Sequence, residues 1–327
     1  MDDFKMLVVG DVHLSDSSPG NRTETYTEDL FAKCEEVRTI AKNSKVDAVL
    51  FLGDIFHKKQ PNLVSHRLVQ RFAAYLASFS IPVYILVGNH DISDGSLTTL
   101  ARQPIGIFSQ IPNVQLLTWD TIEIAPDVLL STVPGVPIRS GDWLQHYNIK
   151  LPDNEVPSRL IVAAHQDICP DLNSYPPQAR DHLQEASQIA SVTNADIVLY
   201  GHMHDSHGVY KKNGVVFSNL GSLCRLTVGD TEHLPHVAVY TIKGDENRSV
   251  GVDIVPITSV RPAADVFLLE EVQGAKEYQK DIDSTVKQLQ ATKLHKFSIE
   301  EVISAIKVQK AEEPVKNKAI ELLEKVS

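Results

Sequence analysis

The sequence predicts an α/β fold of two packed mixed β-sheets flanked by helices. Two observations predict it. Through the first half, short apolar runs alternate with helical stretches; through the second, short strands with turn residues between them lead into further fully apolar runs. A third observation, that polar residues recur just past the apolar runs, marks one end of the sheets as the one that carries chemistry.

The elements follow in order. Lys5–Val9 predicts a strand, Tyr26–Asn43 a helix, Ala48–Leu52 a strand, Leu63–Phe79 a helix and Pro82–Val87 a strand. This βαβ rhythm places helices on the faces of a sheet. Val114–Leu117, Thr121–Ile124 and Val128–Ser131 predict short strands separated by turn residues. Leu160–Ala164 and Ile197–Tyr200 are again fully apolar, with a helix expected around Gln178–Ala190 between them. Asn213-Gly214 marks the turn of a hairpin, and Val237–Ile242 and Val252–Pro256 complete the sheets. Past Pro262 the composition turns to Glu, Lys, Gln and Ala, which is helical material. Ser298 with Glu301 makes a capping box in front of Val302 and Ile306, and Pro314 suits the first turn of a last helix. The expected division is a main domain over residues 1–260 and a helical module over 261–327. That module either packs on its parent domain or docks a partner helix.

Composition sets the bounds. At 327 residues and 43% hydrophobic, the chain can bury a large core and carry a small appendage. The net charge of −11 does not advertise a nucleic-acid binder, although bound cations reverse the sign of a site locally. The acidic start has no signal-peptide layout, and no apolar run is long enough to span a membrane. Cys34, Cys169 and Cys224 are odd in number and widely spaced. They predict small buried side chains in a reducing compartment, the cytoplasm, with no disulfide frame and no thiolate metal site.

The informative pattern lies at the strand ends. The five buried runs end in Asp11-Val-His13, in Asp54-Ile-Phe-His57, in Asn89-His90-Asp91, in His165 and in His202-Met-His204. In open α/β sheets ligands gather at the carboxyl ends of the strands, so these endings converge. Each piece alone is an ordinary loop or cap; five together are not what packing would select. Glycine precedes the polar residue in four of the five, and Ala164 precedes His165. Carboxylate, amide and imidazole without thiolate suit manganese, iron or zinc. Asp11, His13, Asp54, Asn89, His165, His202 and His204 exceed the needs of one ion, and a carboxylate can bridge two. His90, with Asp91 beside it, is left for proton transfer.

These residues resemble the full signature of the calcineurin-like metallophosphoesterase superfamily, over roughly the first 225 residues and in its order. The resemblance implies a four-layer αββα sandwich with a two-metal centre. Asp11, His13 and His204 would hold one ion, Asn89, His165 and His202 the other, and Asp54 would bridge them. It also implies that His90 protonates the leaving oxygen and that Asp91 orients His90. Within the superfamily the chain is most similar to the SbcD-like DNA double-strand-break repair nucleases, through Gly53-Asp54-Ile-Phe-His57 with Pro61, His165-Gln166 and Asn219-Leu-Gly221-Ser222. That likeness implies two divalent ions, manganese before iron or zinc, and a DNA substrate. It further implies an SbcC-like coiled-coil ATPase partner, a possible homodimer and a role for His57 in phosphate-backbone chemistry. Leu14, His57-Lys58-Lys59 and Asp91 depart from the protein phosphatase motifs and argue against that class. Lys58 and Lys59 are the candidate DNA-backbone contacts, and Lys211, Lys212, Arg225 and Arg139 lie near the motifs in sequence order. A small-molecule phosphodiesterase or phosphatase on the same centre, such as one acting on cyclic nucleotides, is the competing reading. A non-catalytic scaffold is the third, and it is disfavoured because every ligand position is filled.

Overall fold

The structure is a computed structural model that describes residues 3–138, 143–151, 159–243, 249–291 and 299–325. Arg139 and the Ser298 half of the expected capping box lie outside the described residues. The chain divides into two compact units, Met1–Val266 and Phe267–Ser327.

In the first unit the strands are β1 (Phe4–Val9), β2 (Ala48–Phe51), β3 (Val83–Leu86), β4 (Val114–Leu117), β5 (Thr121–Ala125), β6 (Val128–Val133) and β7 (Arg159–His165). They continue with the short β8 (Ile168–Cys169) and β9 (Gln184–Glu185), then β10 (Ile197–Gly201), β11 (Gly208–Lys212), β12 (Val215–Asn219), β13 (His236–Ile242) and β14 (Val250–Pro256). The helices are α1 (Tyr26–Ser44), α2 (His66–Ala77), α3 (Ala186–Val192) and the short α4 (Ala263–Val266). Two six-stranded mixed sheets result, in the orders β14-β13-β1-β2-β3-β4 and β11-β12-β10-β7-β6-β5. β1, β2, β3 and β4 run parallel in one sheet; β6, β7, β10 and β12 run parallel in the other.

Alternation along each strand builds the layers. On β1, Leu7 and Val9 pack with Tyr26, Leu30 and Cys34 of α1 and with Phe72 of α2. The intervening Met6 and Val8 pack with Leu130, Ile161 and Leu199 of the opposite sheet. The far face of that sheet, through Val162, Val198 and Phe217, covers Ala186 and Ile189 of α3. The result is the expected αββα sandwich. The central strands β2, β3, β7 and β10 are buried on both faces, which is why they read as continuous apolar runs. The three cysteines are free and buried, as composition predicted.

Local chemistry sets the element ends. Ser65 caps α2, its hydroxyl accepting from the Leu68 amide at 3.1 Å, so the helix starts after the Pro61–Leu63 turn rather than at Leu63. The hairpin between β11 and β12 turns through Asn213 and Gly214, both at positive φ, as a two-residue primed turn requires. The single helix expected around Gln178–Ala190 is not found. A 3₁₀ turn over Pro177–His182, the extended pair Gln184–Glu185 and α3 replace it. The Gln184 amide donates to the Asp167 carbonyl at 2.8 Å, which draws the chain into β9 and breaks the helical path.

The second unit comprises α5 (Leu269–Ala291), α6 (Ile299–Lys307) and α7 (Glu313–Glu324). Val302, Ile306 and Ala319 form its small core, with Ile320 and Leu323 against them. Pro314 occupies the first turn of α7, as its fixed φ favours. Among the described residues no helix is long and apolar enough to cross a membrane.

Candidate metal centre

The site is assembled by the loops that leave β1, β2, β3, β7 and β10. The first two are laced together: the His13 amide donates to the Asp54 carbonyl at 2.9 Å, Leu14 to Ile55 at 2.8 Å, and His57 back to Leu14 at 2.8 Å. His13, Asp54 and His202 all take positive φ, at 53°, 49° and 78°. That is an uncommon backbone for residues with a Cβ, and its concentration here aims three donor side chains inward. Gly53 permits the approach of the sheets: a Cβ there would lie 2.4 Å from His165 Nδ1, and its φ of 107° suits glycine.

Two sets of donors result. In the first, Asp11, His13 and His204 bring ligand atoms within 4.8 Å of one another. His13 Nε2 and His204 Nε2 face each other at 2.8 Å, with Asp11 Oδ2 at 3.9 and 3.7 Å from them. In the second, Asp54, His165 and His202 do the same. The His165 Nδ1–H donates to the Leu52 carbonyl at 2.7 Å, leaving Nε2 as the free nitrogen. That Nε2 faces Asn89 Oδ1 at 3.0 Å and Asp54 Oδ1 at 3.3 Å. Asp54 lies between the sets, with Oδ1 toward His165 and Oδ2 toward His13, 3.6 Å from its Nε2.

Electrostatics calls for a cation. Asp11 and Asp54 are each 1% exposed, and among the described residues their partners are imidazoles and the backbone amides of His202 and His90, with no lysine or arginine against them. Burial pushes the Asp11 carboxyl up, against His165 and with Asp54 adding to the rise. Burial pushes Asp54 up too, but the charge and hydrogen bond of His165, with His13, outweigh it and hold Asp54 below the carboxylate range. Burial lowers His165, and Asp54 with Asp11 override it, raising the imidazole to about 10. Burial drives His13 well below its ordinary value, and its Nδ1 is buried with no hydrogen-bond partner among the described residues. Nitrogen and oxygen donors therefore converge on two adjacent points, where the proton held by His165 occupies the place a cation would take. The donors match hard-to-borderline divalent ions. The residues present fit two such ions.

His90, His57 and His13 form a third cluster beside these. The His57 and His90 rings stack with centroids 5.9 Å apart, and the His90 Nδ1–H donates to the His57 carbonyl at 2.7 Å. The group that orients His90 is thus a backbone carbonyl and not the expected Asp91. The Asp91 carboxylate instead accepts from the amides of Gly88 at 2.9 Å and Ile55 at 3.0 Å, tying the β2 and β3 loops together. Burial, with Asp54 nearby, raises Asp91 to about 7. Burial and then Lys58 lower His57 to about 4, so this ring is neutral at pH 7. Lys58 is half-exposed and Lys59 exposed, and neither enters an ion pair among the described residues. Lys211 lies on the outer hairpin, and the Arg225 guanidinium is spent on the carbonyls of Asp230, Arg261 and Thr231. Sequence reasoning missed Asp167, whose Oδ1 is 2.9 Å from His202 Nε2. Its only sequence signal is its place two residues after His165.

The pattern of the calcineurin-like phosphoesterase family matches residues 4–206. The DNA double-strand break repair protein Mre11 of Thermoplasma acidophilum is 24% identical over 288 residues, 85% of this chain and 70% of its own. The 3',5'-cyclic adenosine monophosphate phosphodiesterase CpdA of Haemophilus influenzae is 26% identical over 209 residues, 62% of this chain and 70% of its own. Among solved structures, a dimetal phosphatase from Danio rerio superposes with a TM-score of 0.50 at 15% identity, covering 79% of this chain and 99% of that one, a likeness of fold.

Proposed function

The chain belongs to the calcineurin-like phosphoesterase family, and from that premise we propose that it is a two-metal DNA nuclease, the hydrolytic subunit of an SbcCD-like repair or recombination complex in the cytoplasm. The observation that carries the reading is Asp54, which turns one carboxylate oxygen toward each set of donors. Asp11, His13 and His204 would hold one ion, Asn89, His165 and His202 the other, with Asp54 shared between them. A manganese pair bound there would supply Lewis acidity toward a phosphoryl oxygen and would lower the pKa of water toward neutrality.

The chain's own residues do the rest. The His57 carbonyl fixes the His90 proton on Nδ1 and leaves Nε2 free to carry a second proton to the leaving oxygen. Neutral His57, stacked on His90, offers a ring N–H to a phosphate oxygen without adding charge. Asp91 holds the loops of Asp54 and His90 in register. Lys58 and Lys59, just past His57, contact the DNA backbone. The helical module expected over 261–327, whose compact unit is Phe267–Ser327, serves as a cap or partner-docking module.

Support for DNA comes from the Gly53–His57 segment, which brings a second histidine to His90, and from the Mre11 likeness, which covers more of this chain than the CpdA likeness does. The CpdA likeness is the specific observation that favours a cyclic-nucleotide phosphodiesterase instead. The test is incubation with manganese and labelled linear DNA, beside a chromogenic phosphodiester, a phosphomonoester and cyclic AMP. The nuclease reading expects DNA degradation that falls by about 10²–10⁴-fold in His90→Ala. It also expects the salt dependence of DNA binding to shrink by about one unit of slope per lysine in Lys58→Ala and Lys59→Ala. Turnover of the small esters alone, with DNA intact, contradicts it.

A further inference from the structure

β7 ends at His165, and the chain then passes through Gln166 and Asp167 into β8. This short segment is held on both sides. The buried Gln166 amide donates to the carbonyls of Pro134 at 2.6 Å and Val136 at 3.1 Å. Its Oε1 accepts from the Gln184 amide at 3.4 Å, and Gln184 in turn accepts the Tyr147 hydroxyl at 2.6 Å. The Asp167 carbonyl takes the Gln184 backbone amide at 2.8 Å. From this fixed backbone the Asp167 carboxylate reaches His202 Nε2 at 2.9 Å.

An ionised carboxylate only accepts hydrogen bonds, so His202 Nε2 carries the hydrogen. With Nε2 taken by the carboxylate, Nδ1 is the ring nitrogen left to serve as a ligand. The arrangement parallels His165, whose Nδ1–H is held by the Leu52 carbonyl and whose Nε2 is left free. We propose that Asp167 is a positioning residue for the ion held by Asn89, His165 and His202, setting the tautomer and ring orientation of His202 through a carboxylate–histidine pair. Such outer partners raise ligand basicity, and their loss weakens metal binding by about 10–100-fold. The inference rests on the two-ion reading of the site and is independent of the substrate. The side chains of His202 and Asp167 are 29% and 42% exposed, so the pair stands at the mouth of the site and its removal leaves the core intact.

Calorimetric titration of the metal-free full-length protein with manganese(II) tests it. Wild type is expected to fill two sites. Asp167→Ala weakens one of them by about 10–100-fold, spares the other and leaves the metal-free melting temperature unchanged. Asp167→Asn, which keeps an acceptor oxygen without the charge, falls between. Two affinities equal to wild type in Asp167→Ala overturn the proposal. So does a variant in which both sites weaken together with a lowered melting temperature, because that is a structural role. A wild-type protein that fills fewer than two sites overturns the two-ion reading itself, and the wild-type titration alone distinguishes that failure.

Discussion

Lys33 sits on α1 with 4% of its surface exposed, and its ammonium donates to the Leu223 carbonyl at 2.9 Å. The Leu223 amide in turn donates to the Asp11 carbonyl at 2.8 Å, so this buried amine braces the loop behind a ligand candidate. Burial lowers Lys33 to about 8. The unfolded chain, with a lysine near about 10.4, therefore binds more protons than the folded one between about pH 8 and pH 10. Stability rises with pH where the unfolded state holds more protons. The expected result is that wild type gains melting temperature relative to Lys33→Met across that window; a difference that stays flat with pH contradicts it. Nothing in the sequence announces this residue, because a lysine on an amphipathic helix reads as solvated surface. The positive φ angles of His13, Asp54 and His202 are equally silent in sequence, since they follow from the lacing of one loop onto another.

At the scale of elements, the strand ends were the legible part. Five apolar runs followed by Asp, Asn or His pointed to one convergent site, and the donor sets around Asp54 occupy those ends. Periodicity also located α1 and the strands from β1 to β6: burial on both faces leaves an unbroken apolar signature in β1, β2 and β3, and turn residues set off the more exposed β4 and β5. It failed around Gln178–Ala190, where a long-range hydrogen bond from Gln184 to Asp167 overrides local propensity. Asp167 was invisible for the same reason: its role is defined by a partner 35 residues away, as Asp167 and His202 are numbered. The glycines before the motifs were legible as turns, and their close approaches were not. A Cβ on Gly201 would lie 2.6 Å from Asp11 Oδ1 and 2.7 Å from the Leu52 carbonyl. Gly201→Ala is expected to cost about 1–3 kcal/mol in a denaturant melt, as overpacking does. It should also weaken metal binding by displacing Asp11. An unchanged midpoint with unchanged metal affinity contradicts that packing argument.

At the scale of the molecule, a net charge of −11 and the proposed DNA substrate are reconciled by where the charge lies. The buried carboxylates of the site call for cations, and a bound cation pair would convert the mouth of the site into the attractive face for phosphate. The helical unit beyond Val266 was legible as helices, and its small core of Val302, Ile306 and Ala319 follows the expected apolar faces. Whether it packs on its parent domain or meets a partner was not legible, since an apolar helix face carries no label for what covers it. The central claim concerns the sandwich as a whole: that its two sheets bring five strand ends together to seat an ion pair. The most direct measurement is anomalous diffraction from crystals grown with manganese. Two peaks about 3.5–4 Å apart, both touched by the Asp54 carboxylate, are the predicted result. A single peak, or peaks that leave Asp54 untouched, would contradict the account.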